Sequence, residues 1–357
     1  MFNTTLSING REIGPLHPPY VIAELSGNHK GHLSQALAMI DAAAATRVDA
    51  IKIQTYSADT ITLNHDGPEF QIEGGLWGGR TLYNLYQEAH TPWSWHEALF
   101  ERAKKNNITL FSSPFDKTAI ELLESLNCPA YKIASFEIND IGLITAAAKT
   151  GKPIIMSTGL ATLEEINEAV SAIANAGGVQ LALLHCISGY PTPLEDCNLR
   201  TIADLCRRFD FPIGLSDHTI DNTASIIAVG LGASVIEKHF TLDKTDGSVD
   251  SAFSLEPNEF ATLKQETLKV FKALGTVGYD IKPSEAGGRD FRRSLYVSKA
   301  IKKGEHFTEE NIRSVRPAKG LHTRYLPQIL EQTAITDIAF GTPLSEQHLS
   351  IPLKKQD

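Results

Sequence analysis

Short apolar runs alternate with longer stretches of helical spacing through most of the chain. The runs are YVIAE (20–24), AIKIQ (50–54), TLFSS (109–113), YKIAS (131–135), PIIMS (153–157), LALLHCIS (181–188), PIGLS (212–216) and VIEKHF (235–240). Their cores are rich in Val, Ile, Leu and Phe, which predicts parallel strands buried on both faces. Between them, Leu33, Ala36, Leu37, Ile40 and Ala44 share one face of a predicted helix, and Ile166, Ala169, Val170 and Ile173 share a face of another. Thr162 followed by Glu165 reads as a capping box opening the second of these. Eight βα units in series, ended by a helix near 257–274, predict a (β/α)8 TIM barrel. An open doubly wound sheet is the alternative, because periodicity does not reveal strand order.

Residues 57–92 separate the second run from its helix, far beyond the usual βα loop of about 2–6 residues. The segment holds Trp77, Tyr83 and Tyr86, and the helical spacing of Leu82, Leu85, Tyr86 and Ala89 predicts that part of it is ordered. It is either a packed surface excursion or a wall over a site, since in a barrel this loop lies on the catalytic face. After 275 the alternation stops. Residues 276–291 are rich in Gly, Pro and polar groups and read as a linker. From 292 to 357, SLYVSKAIKKGE, FTEENIRSVRP and ITDIAFGTPLS predict a small, mostly β domain beside a barrel domain over 1–275.

Composition narrows the partners. The 357 residues are 42% hydrophobic and 21% charged, an ordinary globular balance. A formal net charge of −9 argues against nucleic acid, whose phosphates require a basic face. It still permits a small anion wherever a few lysines converge. No run of about 18 apolar residues predicts a membrane span. The segment MFNTTLSINGREIG shows no basic-then-apolar leader pattern, and Cys128, Cys186, Cys197 and Cys206 form no CxxC pair. Free thiols in a reducing cytoplasm are therefore expected.

Nearly every predicted strand ends in residues able to do chemistry. In chain order these are Glu24; Lys52 and Gln54; Ser112 and Ser113; Lys132, Ser135 and Glu137; Ser157 and Thr158; Ser188 and Tyr190; Ser216, Asp217 and His218; and Glu237, Lys238 and His239. Barrel enzymes assemble their sites from such ends. A single serine there is ordinarily a turn residue. A lysine inside an apolar strand is less easily dismissed, because it must meet an anion or an open cavity. Lys52 and Lys132 with several hydroxyls thus predict a site for a small phosphate- or carboxylate-bearing molecule. His218 and His239, on neighbouring strands, are expected to converge on a divalent metal with positions left open; hydrogen-bonded pocket roles are the plainer alternative. Lys52, Lys132 and Lys238 also admit a Schiff-base aldolase, against which the histidine pair argues because that route needs no metal. A non-catalytic sugar-binding barrel would not need so many charges.

The segments IAELSGNHKG (22–31), IKIQTY (51–56), FSSPFD (111–116), YKIASFE (131–137), MSTG (156–159), GLSDHT (214–219) and EKHFT (237–241) resemble the sialic acid synthase family. The C-terminal segment resembles that family's antifreeze-like, or SAF, domain. Within the family, LWGGRTLYNLYQEAHTPWSWH (76–96), FRRSLYV (291–297) and SVRPAKGL (314–321) are most similar to pseudaminic acid synthases, while N-acetylneuraminate and legionaminate synthases are similar elsewhere. The resemblance implies condensation of phosphoenolpyruvate with a 2,4-diacetamido-2,4,6-trideoxy hexose of altro configuration, with N-acetylmannosamine as the alternative acceptor. It implies that Lys52, Ser112, Lys132, Ser135, Ser157 and Ser216 hold the phosphate and carboxylate. His218 and His239 would bind manganese, magnesium or cobalt, and Glu24 and Glu137 would handle protons. Gln54, Tyr190 and Asp250 would face the sugar. Ser188, in HCISGYP, stands where neuraminate synthases tend to have asparagine, as suits another acceptor. Arg316 would reach into the partner's site of a homodimer closed by the C-terminal domain.

Overall fold

A computed structural model describes residues 2–354. It divides into two compact units, Met1–Gly275 and Thr276–Asp357. In the first, a hairpin of β1 (Leu6–Ile8) and antiparallel β2 (Arg11–Ile13) precedes the barrel. Leu6, Ile8 and Ile13 are fully buried in the barrel core, and each such side chain is worth about 1.5–3 kcal/mol of burial.

Eight parallel strands then close into a barrel: β3 (Tyr20–Glu24), β4 (Ala50–Thr55), β5 (Thr109–Pro114), β6 (Tyr131–Ile133), β7 (Ile154–Ser157), β8 (Leu181–Cys186), β9 (Ile213–Asp217) and β10 (Val235–His239), with β10 pairing back onto β3. Sequential order and closure decide for the TIM barrel over the open sheet. All eight predicted strands are present. The fourth ends at Ile133, because Ser135–Glu137 folds into a 3-10 turn ahead of a helix capped by Asp140, whose side chain accepts from Leu143 N.

The helical layer comprises α1 (Leu33–Ala45), α2 (Ala58–Ile61), α3 (Leu82–Ala89), α4 (His96–Lys105), α5 (Lys117–Ser125), α6 (Ile141–Lys149), α7 (Leu163–Asn175), α8 (Arg200–Arg208), α9 (Thr223–Gly230) and α10 (Pro257–Leu274). The Thr162–Glu165 capping box opens α7. The excursion after β4 is ordered. Besides α2 and α3 it forms a small hairpin in which Ile72 N donates to Arg80 O (2.9 Å) and Gly79 N to Ile72 O (3.0 Å). Among the described residues no helix is long and apolar enough to cross a membrane, and Cys128, Cys186, Cys197 and Cys206 are free.

In the second unit, residues 276–291 are exposed throughout and include the 3-10 turn Pro283–Phe291. Antiparallel β11 (Ser294–Val297) and β12 (Ile312–Val315), isolated bridges such as Ile301–Ile338, and α11 (Leu326–Leu330) follow. They enclose a separate core of Leu295, Val297, Ile301, Phe307, Ile312 and Ile329. Residues 355–357, the end of the expected second domain, lie outside the described residues.

Candidate active site

Strand register decides which side chains share the interior. Neighbours in register on parallel strands point the same way. The pairs Glu24↔Lys52, Lys52↔Phe111 and Gln54↔Ser113 therefore put Glu24, Lys52, Gln54 and Ser113 inside. Glu237↔Ser216 and Cys186↔Ser216 do the same on the far side. This face opens at the C-terminal ends of the strands into a cavity of ≈ 330 Å³. Lys52, Gln54, Lys132, Ser135, Glu137, Ser157, Tyr190, Ser216, His218, His239 and Asp250 all line it.

At its base lies a buried cluster of charges. Glu237 Oε1 is 2.8 Å from Lys52 Nζ, 3.3 Å from Lys132 Nζ and 3.3 Å from Ser216 Oγ. Lys52 also meets Glu24 at 3.2 Å, whose other oxygen accepts from Gln54 Nε2 at 2.9 Å. Burial pushes both carboxyls up. For Glu237, however, two adjacent ammonium groups outweigh burial and hold its pKa below the ordinary value, whereas Glu24, facing one lysine and the Glu237 charge, is held above it. Burial lowers the Lys132 pKa against the pull of Glu237. Ser157 Oγ, on the cavity lining, is buried without a hydrogen-bond partner, as befits a donor facing an incoming anion; Ser113 Oγ, on the inward face but behind that lining, is unpartnered too.

The two imidazoles stand beside this cluster with ring centroids 5.3 Å apart. His218 Nδ1 is 2.9 Å from Ile187 O, which makes Nδ1 the protonated nitrogen and leaves Nε2 with its lone pair. His239 Nδ1 is buried without a partner, and burial, reinforced by His218 and Lys52, holds that ring neutral. Burial also favours neutral His218, but the Cys186 thiol, 3.9 Å from its Nδ1, draws its pKa upward. Two imidazole nitrogens facing one cavity fit a divalent ion with positions left open for oxygen ligands. No third His, Cys, Asp or Glu completes a closed metal cluster among the described residues.

Beside the imidazoles, Tyr190 packs against His218 (4.5 Å) and Trp77 (5.4 Å). Asp250 accepts from Ser26 and lies 3.7 Å from His239 Nδ1; burial raises its pKa to about 6. Glu137 is raised to about 7, again chiefly by burial, with Lys132 acting the other way. Asn28, fully buried, clamps this side. Its Oδ1 accepts from Asp250 N (3.0 Å) and Ser248 Oγ (3.2 Å), and its Nδ2 donates to Phe240 O (3.0 Å) and Ser254 Oγ (2.9 Å).

Three expectations need correction and two a clarification. Ser112 is not in the cavity: it points outward, bonded to Thr55 Oγ1 (2.6 Å) and Ile53 O (3.1 Å), and Ser113 takes the inward place. Glu24 is sealed behind Lys52 and Gln54, so it positions them and does not itself face the cavity. Lys238, the third candidate for a Schiff base, points to the helical layer and pairs with Asp217 at 2.9 Å. Ser188 is half-buried, with its Oγ enclosed, and is not among the residues lining the cavity; a Cβ at Gly159 would lie 2.3 Å from that Oγ and 2.8 Å from that of Ser135, so only glycine fits between them. Arg316 is exposed in the turn after β12 of the second unit. Sequence reasoning placed Glu237 at a strand end but gave it no role in the site, although its spacing of two from His239 on one strand was the available signal. It chose Ser112 over Ser113, a choice that needs the cross-strand register, and missed Asn28, which nothing local marks.

The profile of the NeuB family matches residues 39–279 and that of the SAF domain residues 292–350. The chain is 48% identical over 327 residues to a pseudaminic acid synthase of Campylobacter jejuni, covering 92% of this chain and 95% of that one. It is 46% identical over 331 residues to the pseudaminic acid synthase of Helicobacter pylori, covering 92% and 97%. Among solved structures, the N-acetylneuraminic acid synthetase of Leptospira borgpetersenii in complex with citrate superposes with a TM-score of 0.72 at 36% identity, over 80% of this chain and 94% of that one.

Proposed function

The chain belongs to the NeuB family, and on that premise we propose that it condenses phosphoenolpyruvate with 2,4-diacetamido-2,4,6-trideoxy-altropyranose and water, giving pseudaminate and phosphate. The observation that carries this reading is the meeting of two buried ammonium groups and two imidazoles around one cavity.

The donor's phosphate and carboxylate are received by Lys52 and Lys132 and by the hydroxyls of Ser113, Ser135, Ser157 and Ser216, charge-assisted contacts that are strong in so dry a setting. Carbon 3 of the donor bonds to the aldehyde carbon of the open-chain sugar, water adds at carbon 2, and phosphate leaves by C–O cleavage. Glu137 is a cavity-lining carboxyl whose pKa burial raises to about 7, a value that suits release and uptake of a proton. Glu24 and Gln54 keep Lys52 in place. A divalent ion (manganese, magnesium or cobalt) would be held by His218 and His239 and supplies Lewis acidity toward the acceptor's carbonyl when bound.

A homodimer in which the C-terminal unit of one protomer closes the partner's cavity belongs to the same reading. Arg316 supports it, being exposed and without an ion pair among the described residues. So do the exposed apolar side chains Leu63, Phe136, Leu160 and Ile220, which follow β4, β6, β7 and β9 at the catalytic end of the barrel. Mixing a His218→Ala subunit with an Arg316→Ala subunit should recover part of the activity; confirmed heterodimers without recovery defeat the shared site. Nucleic acid and membrane are not partners in this reading, and the free thiols suit a cytoplasmic enzyme.

Phosphate release from phosphoenolpyruvate tests the reaction itself. Turnover is expected with the 6-deoxy diacetamido hexose, little with N-acetylmannosamine, and none after chelation until a divalent ion is restored. No release with any 2-acetamido hexose, or an imine trapped by borohydride with pyruvate, overturns the proposal.

A further inference from the structure

The cavity has two unlike halves. Along the strand ends its lining holds all of its charged and imidazole groups, interspersed with Phe115, Ala134 and Phe136. The excursion between β4 and α4 contributes Ala89 and, with larger side chains, Ile61, Ile72, Trp77, Leu82, Leu85 and Tyr86. Leu85 is buried and the other five are half-buried, and all six line the cavity. Only two polar side-chain atoms occur among the six, and one is engaged: Trp77 Nε1 donates to Val249 O at 2.9 Å. No carboxylate, amide or cationic side chain of the excursion reaches the lining.

This wall is held in shape from behind. The Ile72–Arg80 hairpin is tied to α3 by Arg80, whose guanidinium is 2.6 Å from Glu88. Thr81 caps α3 by accepting from Asn84 N at 3.1 Å. Tyr86 packs edge-on against Tyr56 at 5.8 Å.

We infer that this apolar wall selects the acceptor by taking up its deoxygenated end: the carbon 6 methyl and the acetyl methyl at carbon 4. The inference rests on the synthase reading above. The chemistry sets the order of groups in the cavity. The donor occupies the ammonium end, and the acceptor's aldehyde must lie against the donor's carbon 3. Carbons 4 to 6 therefore extend away from the strand ends, toward the excursion. A methyl is compatible with that surface. A hydroxymethyl brings a hydroxyl that leaves its water without gaining a partner, and selectivity from one such group in an apolar pocket is about 10–200-fold.

The test compares kcat/KM for the 6-deoxy diacetamido hexose with that for N-acetylmannosamine, which carries hydroxyls at carbons 4 and 6, by phosphate release. Leu82→Asn on α3 and Ile72→Asn on the hairpin are independent variants outside the barrel strands, and Leu82→Met is the conservative control. The preference for the 6-deoxy sugar is expected to fall at least tenfold in each Asn variant (about 10–200-fold is at stake), to persist in Leu82→Met, and to leave the KM for phosphoenolpyruvate unchanged. An unaltered preference in an active Asn variant, or an equal loss with both hexoses, overturns the inference. Wild-type enzyme that releases no phosphate with either hexose overturns the synthase reading instead, and the wall's role with it.

Discussion

Glu237→Gln tests the account of the charged cluster most directly. The substitution keeps the shape of the side chain and removes one negative charge between two ammonium groups. Lys52 retains Glu24 at 3.2 Å, but Lys132 makes no ion pair other than that with Glu237 among the described residues. At 3.3 Å and an effective dielectric of about 20, that contact alone is worth roughly 5 kcal/mol before desolvation. Breaking a buried pair from one side costs about 3–5 kcal/mol. The unfolding free energy from denaturant titration at pH 7 should therefore fall by about 3–5 kcal/mol, a large part of the usual total of about 5–15 kcal/mol. The pH dependence has a definite sign. Burial holds the folded Lys132 pKa below its unfolded value, and losing Glu237 lowers it further. The unfolded chain then binds more protons than the folded one, and the variant regains stability as pH rises toward the ordinary lysine range. Phosphoenolpyruvate, which returns an anion to the ammonium groups, should raise the melting temperature of the variant more than that of wild type. A variant as stable as wild type at pH 7, with the same pH slope, would refute the cluster's energetics.

Three further outcomes are expected. Glu137 has its pKa raised from 4.5 to about 7, so the stability it contributes is fully present below 4.5 and is lost as pH climbs through about 7. Glu137→Gln should flatten that slope in thermal melts and remove an inflection near 7 from the kcat/KM profile. Ser113→Ala should raise the KM for phosphoenolpyruvate by about tenfold, the worth of one hydrogen bond to a charged group. Ser112→Ala should leave the KM unchanged and cost only about 0.5–1.5 kcal/mol of stability; equal KM effects for the two serines would contradict the strand register. Asn28→Asp keeps the two accepted hydrogen bonds and loses the two donated ones, leaving Phe240 O facing a carboxylate. A loss of about 1–3 kcal/mol in denaturant stability is expected, together with weaker binding of manganese by calorimetry, since Phe240 follows His239.

The barrel was legible because each of its strands is an apolar run too short for a helix and bounded by turn residues. The two lysines were legible for the complementary reason, that a charge inside such a run needs an explanation. Facing was harder. Ser112 and Ser113 are equivalent on composition, and only the pairing of Gln54 with Ser113 separates them. Glu237 stood in view, but its role depends on three other strands delivering Lys52, Lys132 and Ser216 to the same point. Helical spacing located α3, whereas the hairpin before it turns on glycines whose positive φ carries no apolar period. Asn28 was hidden because all four of its partners lie more than 200 residues away.

The outward ion pair of Lys238 with Asp217 carries a consequence for assembly. On β10, glutamate, lysine and histidine follow one another with the lysine on the opposite side. Shifting this last strand by one residue during closure would exchange the two sides at a stroke. An ammonium would enter the interior without its aspartate, and a carboxylate and an imidazole would be thrust among the helices. Each misplaced charge is costly, so the wrongly zipped barrel is penalised at the seam where the ends of the sheet meet. The chemistry of the last strand thus proofreads the closure of the protein that uses it.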